Sequence, residues 1–398
     1  MKGKANFFCN FTQSLKSRRK IRFGNTLLLT KYYIKMRKKI NVFMMFVISI
    51  CFLSCEDELQ KEIQSGSNYT ALIINQGNFN ESNGSLSLWV DNRVQNRVYE
   101  DANEGEKLAS VIESAVDCGS SWALLCNSED KIVWVDKLNF KELAVLKSVP
   151  APRYGVCKDG YLYVTSVTDW SGADGSVFKI DLSSKSVDSK IIVKGTPEGL
   201  LWHDEELWVA TSYSYNPTTW MMDSAAVACV KSWGDAPIYY TSDMCGVSAK
   251  HLMANDEGRL FVSLSGYGLA EVDEEEGKLV DFVQLKEFFY SGHLYQYDGE
   301  IYYLTSDGGS AGYSNGGADE KTTVSKVDLV TRSSSKVAEG NGFYGFGVNP
   351  SDGRIYTANC NGFFTNSICH IYENNGSKVE CGDPLAGVGT CRFYFPKW

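Results

Sequence analysis

Imidazoles are scarce in this chain: the histidines stand at His203, His251, His293 and His370, and no two share a metal-ligand spacing such as HxxxH. A lone histidine among strands is more often a hydrogen-bonded structural residue than a base or a ligand. Carboxylates are plentiful, and a pair can do acid and base work when burial separates their proton affinities. Most of them stand in turns or in solvated runs such as Asp273-Glu-Glu-Glu276, where turn chemistry already accounts for them. No nucleophile elbow, phosphate loop or dinucleotide fingerprint is set in the strand-to-helix context that such motifs need. The Gly-rich run 307–317 has no Lys-Ser/Thr after it and no expected helix, so it reads as a flexible loop. No spacing of oxygen ligands resembles a complete calcium loop. These absences lead to the expectation of a protein that is not an enzyme, with no catalytic residues, no metal and no required cofactor.

Whatever chemistry exists must be positioned by short strands. One strand phrase recurs every forty to fifty residues: Leu162-Tyr-Val-Thr-Ser166, Leu207-Trp-Val-Ala-Thr-Ser212, Leu260-Phe-Val-Ser-Leu-Ser265, Ile301-Tyr-Tyr-Leu-Thr-Ser306 and Ile355-Tyr-Thr-Ala-Asn359. A unit of this size cannot bury both faces of its sheet alone, and a radial array of four-stranded sheets solves that problem. Tight turns precede the phrases, at Asp159-Gly160, Asp204-Glu205, Asp256-Glu257-Gly258, Asp298-Gly299 and Asp352-Gly353, residue pairs that tolerate the positive φ of short hairpins. Units then fall near 111–149, 150–195, 196–244, 245–289, 290–340 and 341–386. Three strands remain at the start, 69–75, 85–90 and 93–99, and one at the end, 389–395. Three plus one completes a seventh sheet, so the predicted fold is an all-β, seven-bladed β-propeller over 69–398, closed by pairing of the C-terminal strand with the first blade. Six or eight blades are the alternatives. Residues 214–223 read as a long insertion, and the last strand of that unit is expected near 237–241.

In such a fold the loops leading into first strands and those joining second to third strands gather on one face. The second-to-third loops carry Phe79, Trp170, Tyr213, Tyr215, Trp220, Tyr267, Tyr313, Phe363 and Phe364. The first-strand approaches add Arg153, Tyr154, Tyr290, Phe343 and Tyr344, and Asn78, Asn216, Asn361 and Asn366 supply amides nearby. Flat apolar area with a polar rim suits a large, partly planar, uncharged ligand. Any single one of these rings can instead plug the channel or fold over the rim. Aromatics inside the repeated strands, such as Tyr163, Trp208, Phe261 and Tyr302, are expected to pack between sheets.

Charge is distributed unevenly. The chain has 39 Lys and Arg against 48 Asp and Glu, net −9, but twelve of the basic residues lie in 1–54, which has no acidic residue; the remainder holds 27 against 48, net −21. A body that acidic repels phosphate backbones, so nucleic acid is not an expected partner. Met36-Arg-Lys-Lys39 followed by the apolar run 40–53 and Leu53-Ser54-Cys55 looks like a lipoprotein signal peptide, with Cys55 the lipidated first residue of the mature chain. A single membrane anchor is the alternative for 40–54, although the run is short for it. On this reading 1–35 is an unstructured upstream extension or a long leader, 36–55 the signal peptide and 56–68 a tether. Nine cysteines follow Cys55; Cys360 with Cys369, or Cys381 with Cys391, can form a bond outside the cytoplasm, and buried thiols are the equal alternative.

The strand phrase, nearest as Tyr163-Val-Thr-Ser166, resembles the YVTN type of propeller repeat. Ile74-Asn-Gln-Gly-Asn-Phe79 and Asn83-Gly-Ser-Leu-Ser-Leu-Trp89 resemble the "NEGNF...GSLS" opening of a family of Bacteroidetes surface lipoproteins, with Gln76 in place of the usual acidic residue. Members of that family include the cobalamin-capturing lipoproteins that partner the vitamin B12 outer-membrane transporter. The resemblance implies a lipid-anchored protein on the outer membrane, exposed at the cell surface on the strength of Glu56-Asp57-Glu58, with a TonB-dependent transporter as partner and cobalamin or a related corrinoid as bound ligand. A glycan binder, a propeller lactonase or lyase, and a scaffold gripping a protein partner are the other readings.

Overall fold

The computed structural model describes residues 68–398 except 80, 169–172, 217, 219–220, 243–246, 285–287, 290–291 and 307–318. Contacts divide the chain into Met1–Glu62 and Ile63–Trp398. The expected leader, Cys55, Trp170, Trp220, Tyr290, Tyr313 and the run 307–317 lie outside the described residues. No helix among the described residues is long and apolar enough to cross a membrane.

The second unit is built of antiparallel ladders in chain order. The strands Ile112–Asp117, Ser121–Cys126, Lys131–Asp136 and Glu142–Leu146 pair successively, and ladders of the same kind follow over 152–193, 196–241, 248–284, 288–341 and 343–388. These limits agree with the unit boundaries expected from the turns. The turns themselves take the backbone that their residues allow: Asp159, Gly160, Asp204, Glu205, Asp298 and Gly299 all have positive φ, as do Gly258 and Gly353.

The two ends of the unit meet. Ala71–Asn75 pairs with Ser85–Val90 on one side and with Thr390–Tyr394 on the other, in the register Leu72 to Tyr394, Ile73 to Phe393 and Ile74 to Arg392. Asn75, fully buried, ties this seam: its amide donates to Ser85 Oγ at 3.2 Å and Ser87 Oγ at 2.8 Å, and its Oδ1 accepts from Gly387 N at 3.0 Å and Thr390 Oγ1 at 2.6 Å. Gly77 has φ +79°, and a Cβ there would stand 2.3 Å from Gly84 N, so the turn after the seam requires glycine.

Each repeated strand is buried on both faces because alternate residues enter different cores. Leu162 and Val164 pack with Ala123, Leu125 and Trp134 of the preceding ladder, whereas Tyr163 packs with Leu207 and Val209 of the following one. Tyr163 also meets Trp202 and Trp233 edge-on at 5.1 and 5.2 Å. The same division places Leu72 and Ile74 with Trp122 and Leu124, and Ala71 and Ile73 with Tyr356 and Phe393. Strand aromatics therefore serve as packing between ladders, as expected.

Three local expectations change. The third strand stops at Asn96, and Arg97 turns at φ +59° into the short helix Val98–Ala102, whose Val98 and Tyr99 enter the core. The described parts of the insertion extend its strands: Glu206–Asn216 and Met221–Val230 prolong their ladder, with Tyr213 opposite Ser224 and Tyr215 opposite Met222. Neither cysteine pairing is made, since Cys369, Cys381 and Cys391 are thiols; Cys369 and Cys381 pack against one core and Cys391 lies in another.

Candidate functional site

Register decides which loops share an end. Ile112 lies opposite Cys126, Pro152 opposite Ser166, Thr196 opposite Ser212, Ser248 opposite Ser265, and Phe343 opposite Asn359. The start of every one of these first strands thus faces the end of its second strand. The loops leading into first strands and the second-to-third loops consequently occupy the same end of each ladder.

The first strands carry a buried ionic group near that end. Arg153 makes ion pairs with Glu113 at 2.5 Å and Glu198 at 2.9 Å, and Lys250 reaches Glu198 at 3.0 Å. Arg392 donates through Nε to Glu113 O at 3.1 Å and through Nη2 to the Tyr154 hydroxyl at 2.6 Å, and its guanidinium lies against the His293 ring. Tyr154 in turn donates to Glu113 Oε1 at 3.2 Å. Burial pushes the Glu198 carboxyl up, but the pull of Arg153 and Lys250 outweighs it and holds the group below its ordinary value. Burial, with the Arg392 charge added, lowers His251 to about 4 and carries His293 well below its ordinary value, so both rings are neutral at pH 7. The carboxylates Glu113 and Glu198 are thus engaged as ion-pair partners, each accepting from a guanidinium.

The structure places two of the expected ligand residues in this group. Arg153 and Tyr154 belong to the ionic group, where Arg153 is a salt-bridge hub and Tyr154 a hydrogen-bond relay. Phe343, another of the expected ligand residues, is 2% exposed and packed in a core with Leu304, Val324 and Phe346. Glu113, Glu198, Lys250 and Arg392 were not singled out from the sequence. The signal available was a charged residue at the second or third place of successive first strands.

The remaining rings separate into one assembled group and several isolated positions. Tyr344 bonds Gln76 Oε1 at 2.5 Å and meets the Phe363 ring edge-on at 4.8 Å. Asn78 donates to Phe363 O at 2.9 Å, bringing the first second-to-third loop against the one after Ile355–Asn359. Gly389, at φ +65°, gives the Phe363 ring its place, since a Cβ there would stand 2.7 Å from it. Next to these contacts Phe79 is 67% exposed and Phe364 85% exposed. Elsewhere, Tyr213 lies under the Lys194 ammonium at 4.3 Å, Tyr215 stands on the prolonged hairpin, and Tyr267 bonds Asp281 against the neighbouring core. Among the amides, Asn216 bonds Asp223 at 3.2 Å and Asn361 bonds Thr365 at 2.6 Å, while Asn366 begins the strand Asn366–Tyr372. No group of three or more His, Cys, Asp or Glu that could hold a metal ion occurs among the described residues.

A family model described as "Domain of unknown function (DUF5074)" matches residues 69–397. No curated protein matches the chain. Among solved structures, a putative 6-phosphogluconolactonase from Bacteroides uniformis is similar at 12% identity over 83% of this chain and 100% of that one, with a TM-score of 0.56. A quinonprotein alcohol dehydrogenase-like protein from Bacteroides thetaiotaomicron is similar at 11% identity over 83% and 79%, TM-score 0.54. A putative 6-phosphogluconolactonase from Bacteroides fragilis follows at 10% over 84% and 99%, TM-score 0.51. At such identity the likeness concerns the fold, which is a β-propeller.

Proposed function

We propose that this chain, which belongs to the DUF5074 family, is a seven-bladed propeller closed by its C-terminal strand that captures a nutrient ligand at the end of the ladders where the loop aromatics stand. Pairing of Ala71–Asn75 with Thr390–Tyr394, and cores shared by each ladder with the one before and the one after, support the closed ring. The leader at 36–55, lipidation of Cys55 and the tether 56–68 put the propeller on the outer membrane, facing outwards. Cobalamin or a related corrinoid is the ligand of this proposal, and a TonB-dependent transporter is the recipient.

The observation that carries the binding reading is the exposure of Phe79 and Phe364 beside the Asn78–Phe363 hydrogen bond. Two large apolar rings left in water next to amides and a tyrosine hydroxyl offer what a corrin ring needs: cover for a broad apolar face and partners for its fringe of amides. The buried carboxylates Glu113 and Glu198 are both engaged in ion pairs, Glu113 with Arg153 and Glu198 with Arg153 and Lys250. The activities named for the similar structures belong to those proteins, since likeness at 10–12% identity concerns the fold alone.

An absorbance titration of the purified chain with cyanocobalamin tests the proposal. Saturable retention of the corrinoid is expected, with affinity falling about tenfold, close to 1.4 kcal/mol, in Phe79→Ala and in Phe364→Ala. Retention of a soluble glycan with no corrinoid bound would change the ligand class. Retention of neither would end the binding reading.

A further inference from the structure

Two cysteines from neighbouring ladders meet although nothing in the sequence suggests it. Cys118 directly follows Ile112–Asp117, Cys157 is the last residue but one of Pro152–Lys158, and their sulfurs stand 2.7 Å apart. That is inside the usual separation of non-bonded heavy atoms, about 3.5–4.0 Å between carbons, and about 0.7 Å from the length of a disulfide. Both are half-buried at the margin of the core formed by Val116, Leu125, Trp134, Leu162 and Ile180. Other described thiols are engaged differently: Cys126, Cys229 and Cys391 point at oxygen acceptors, Leu124 O, Glu206 Oε2 and Ile74 O.

We propose that Cys118 and Cys157 form an oxidation site, which closes to a disulfide and staples the first strands of two adjacent ladders. The oxidant is itself a disulfide, of glutathione or of a thiol oxidoreductase. One cysteine thiolate attacks it, forming a mixed disulfide and expelling one thiol. The second cysteine thiolate attacks the protein-bound sulfur of that mixed bond and expels the other thiol. Two protons leave the cysteines, and the two electrons reside in the reduced oxidant. The site lies where first strands turn into second strands, opposite the end that holds Phe79 and Phe364, as the pairing of Asp117 with Trp122 and Lys158 with Tyr161 requires. Oxidation therefore leaves the loop aromatics in place. Because the cysteines are 39 positions apart, the bond restricts the unfolded chain, and a Tm rise of about 5 °C follows.

The full chain, purified without reductant, is divided into a reduced sample and one treated with glutathione disulfide, and both are alkylated and digested under non-reducing conditions. A peptide containing Cys118 joined to one containing Cys157 is expected only after oxidation, with Cys381 alkylated in both samples and Tm higher by about 5 °C in the oxidised one. Cys118→Ser and Cys157→Ser each remove the crosslink and the Tm difference; either variant alone suffices if the other fails to fold. Full alkylation of both cysteines after oxidation, or a link from either to a different cysteine, overturns the site. A crosslink that leaves Tm unchanged overturns the stapling.

Discussion

The ionic group on the first strands and the aromatic group on the loops occupy the same end of the ladders, yet their chemistry is opposite. Glu113, Arg153, Glu198, Lys250 and Arg392 satisfy one another, whereas Phe79 and Phe364 leave their rings in water. Buried charges are costly unless paired, so first strands that hold them must use them up internally. Exposed apolar rings hold no strand in place and are available to a ligand. The difference teaches that at this end charge belongs to the architecture, which leaves the apolar surface for the recognition proposed above.

Breaking the ionic side should have the largest effect. Glu198→Ala leaves Arg153 and Lys250 without their shared carboxylate, and a loss of about 3–5 kcal/mol is expected in urea unfolding. Asn75→Ala, at the seam, strips partners from Ser85, Ser87, Thr390 and Gly387 and should cost about 2–3 kcal/mol by the same measurement. The histidines give the contrast a pH axis. His251 is lowered to about 4 from 6.5, so the unfolded chain binds its proton first as pH falls. Stability is then full above about 6.5 and declines toward 4, with a slope of at most about 1.4 kcal/mol per pH unit for that proton; Glu198, also lowered, adds a loss in the same direction at lower pH. Unfolding curves across that range should show the decline, to which His293 adds in the same direction, and His251→Gln should make it shallower without abolishing it. Tyr154→Phe removes one relay between Arg392 and Glu113 and should cost about 1–2 kcal/mol. Smallest in stability are Phe79→Ala and Phe364→Ala, within about 0.5 kcal/mol of the parent; a larger loss would mean that these rings pack rather than recognise, and would dissolve the contrast.

Much of the scaffold was legible because its signals are local. Leu162-Tyr-Val-Thr-Ser166 alternates residues for two different cores, and Asp159-Gly160 announces its own hairpin through positive φ. The Asn75 to Asn78 phrase was read as a mark of resemblance, and its physical work proved to be at the seam and at Phe363. The ionic group was not legible: Arg153 is 40 residues from Glu113, and Arg392 is 238 from Tyr154, with nothing in either neighbourhood naming the other. Phe343 and Tyr344 are consecutive aromatics, and packing sent one into the core and the hydroxyl of the other to Gln76.

By itself the sequence determined the period of the strands, the places of the turns and which residues alternate, because each depends on dihedral preferences and side-chain spacing within a few residues. Tertiary structure decided who meets whom: that Asn75 clasps Thr390, that Glu198 is shared by Arg153 and Lys250, that Cys118 faces Cys157, and that Phe364 stays in water. Such contacts join residues tens to hundreds of positions apart, and their energies exist only once the ladders have stacked and excluded water between them.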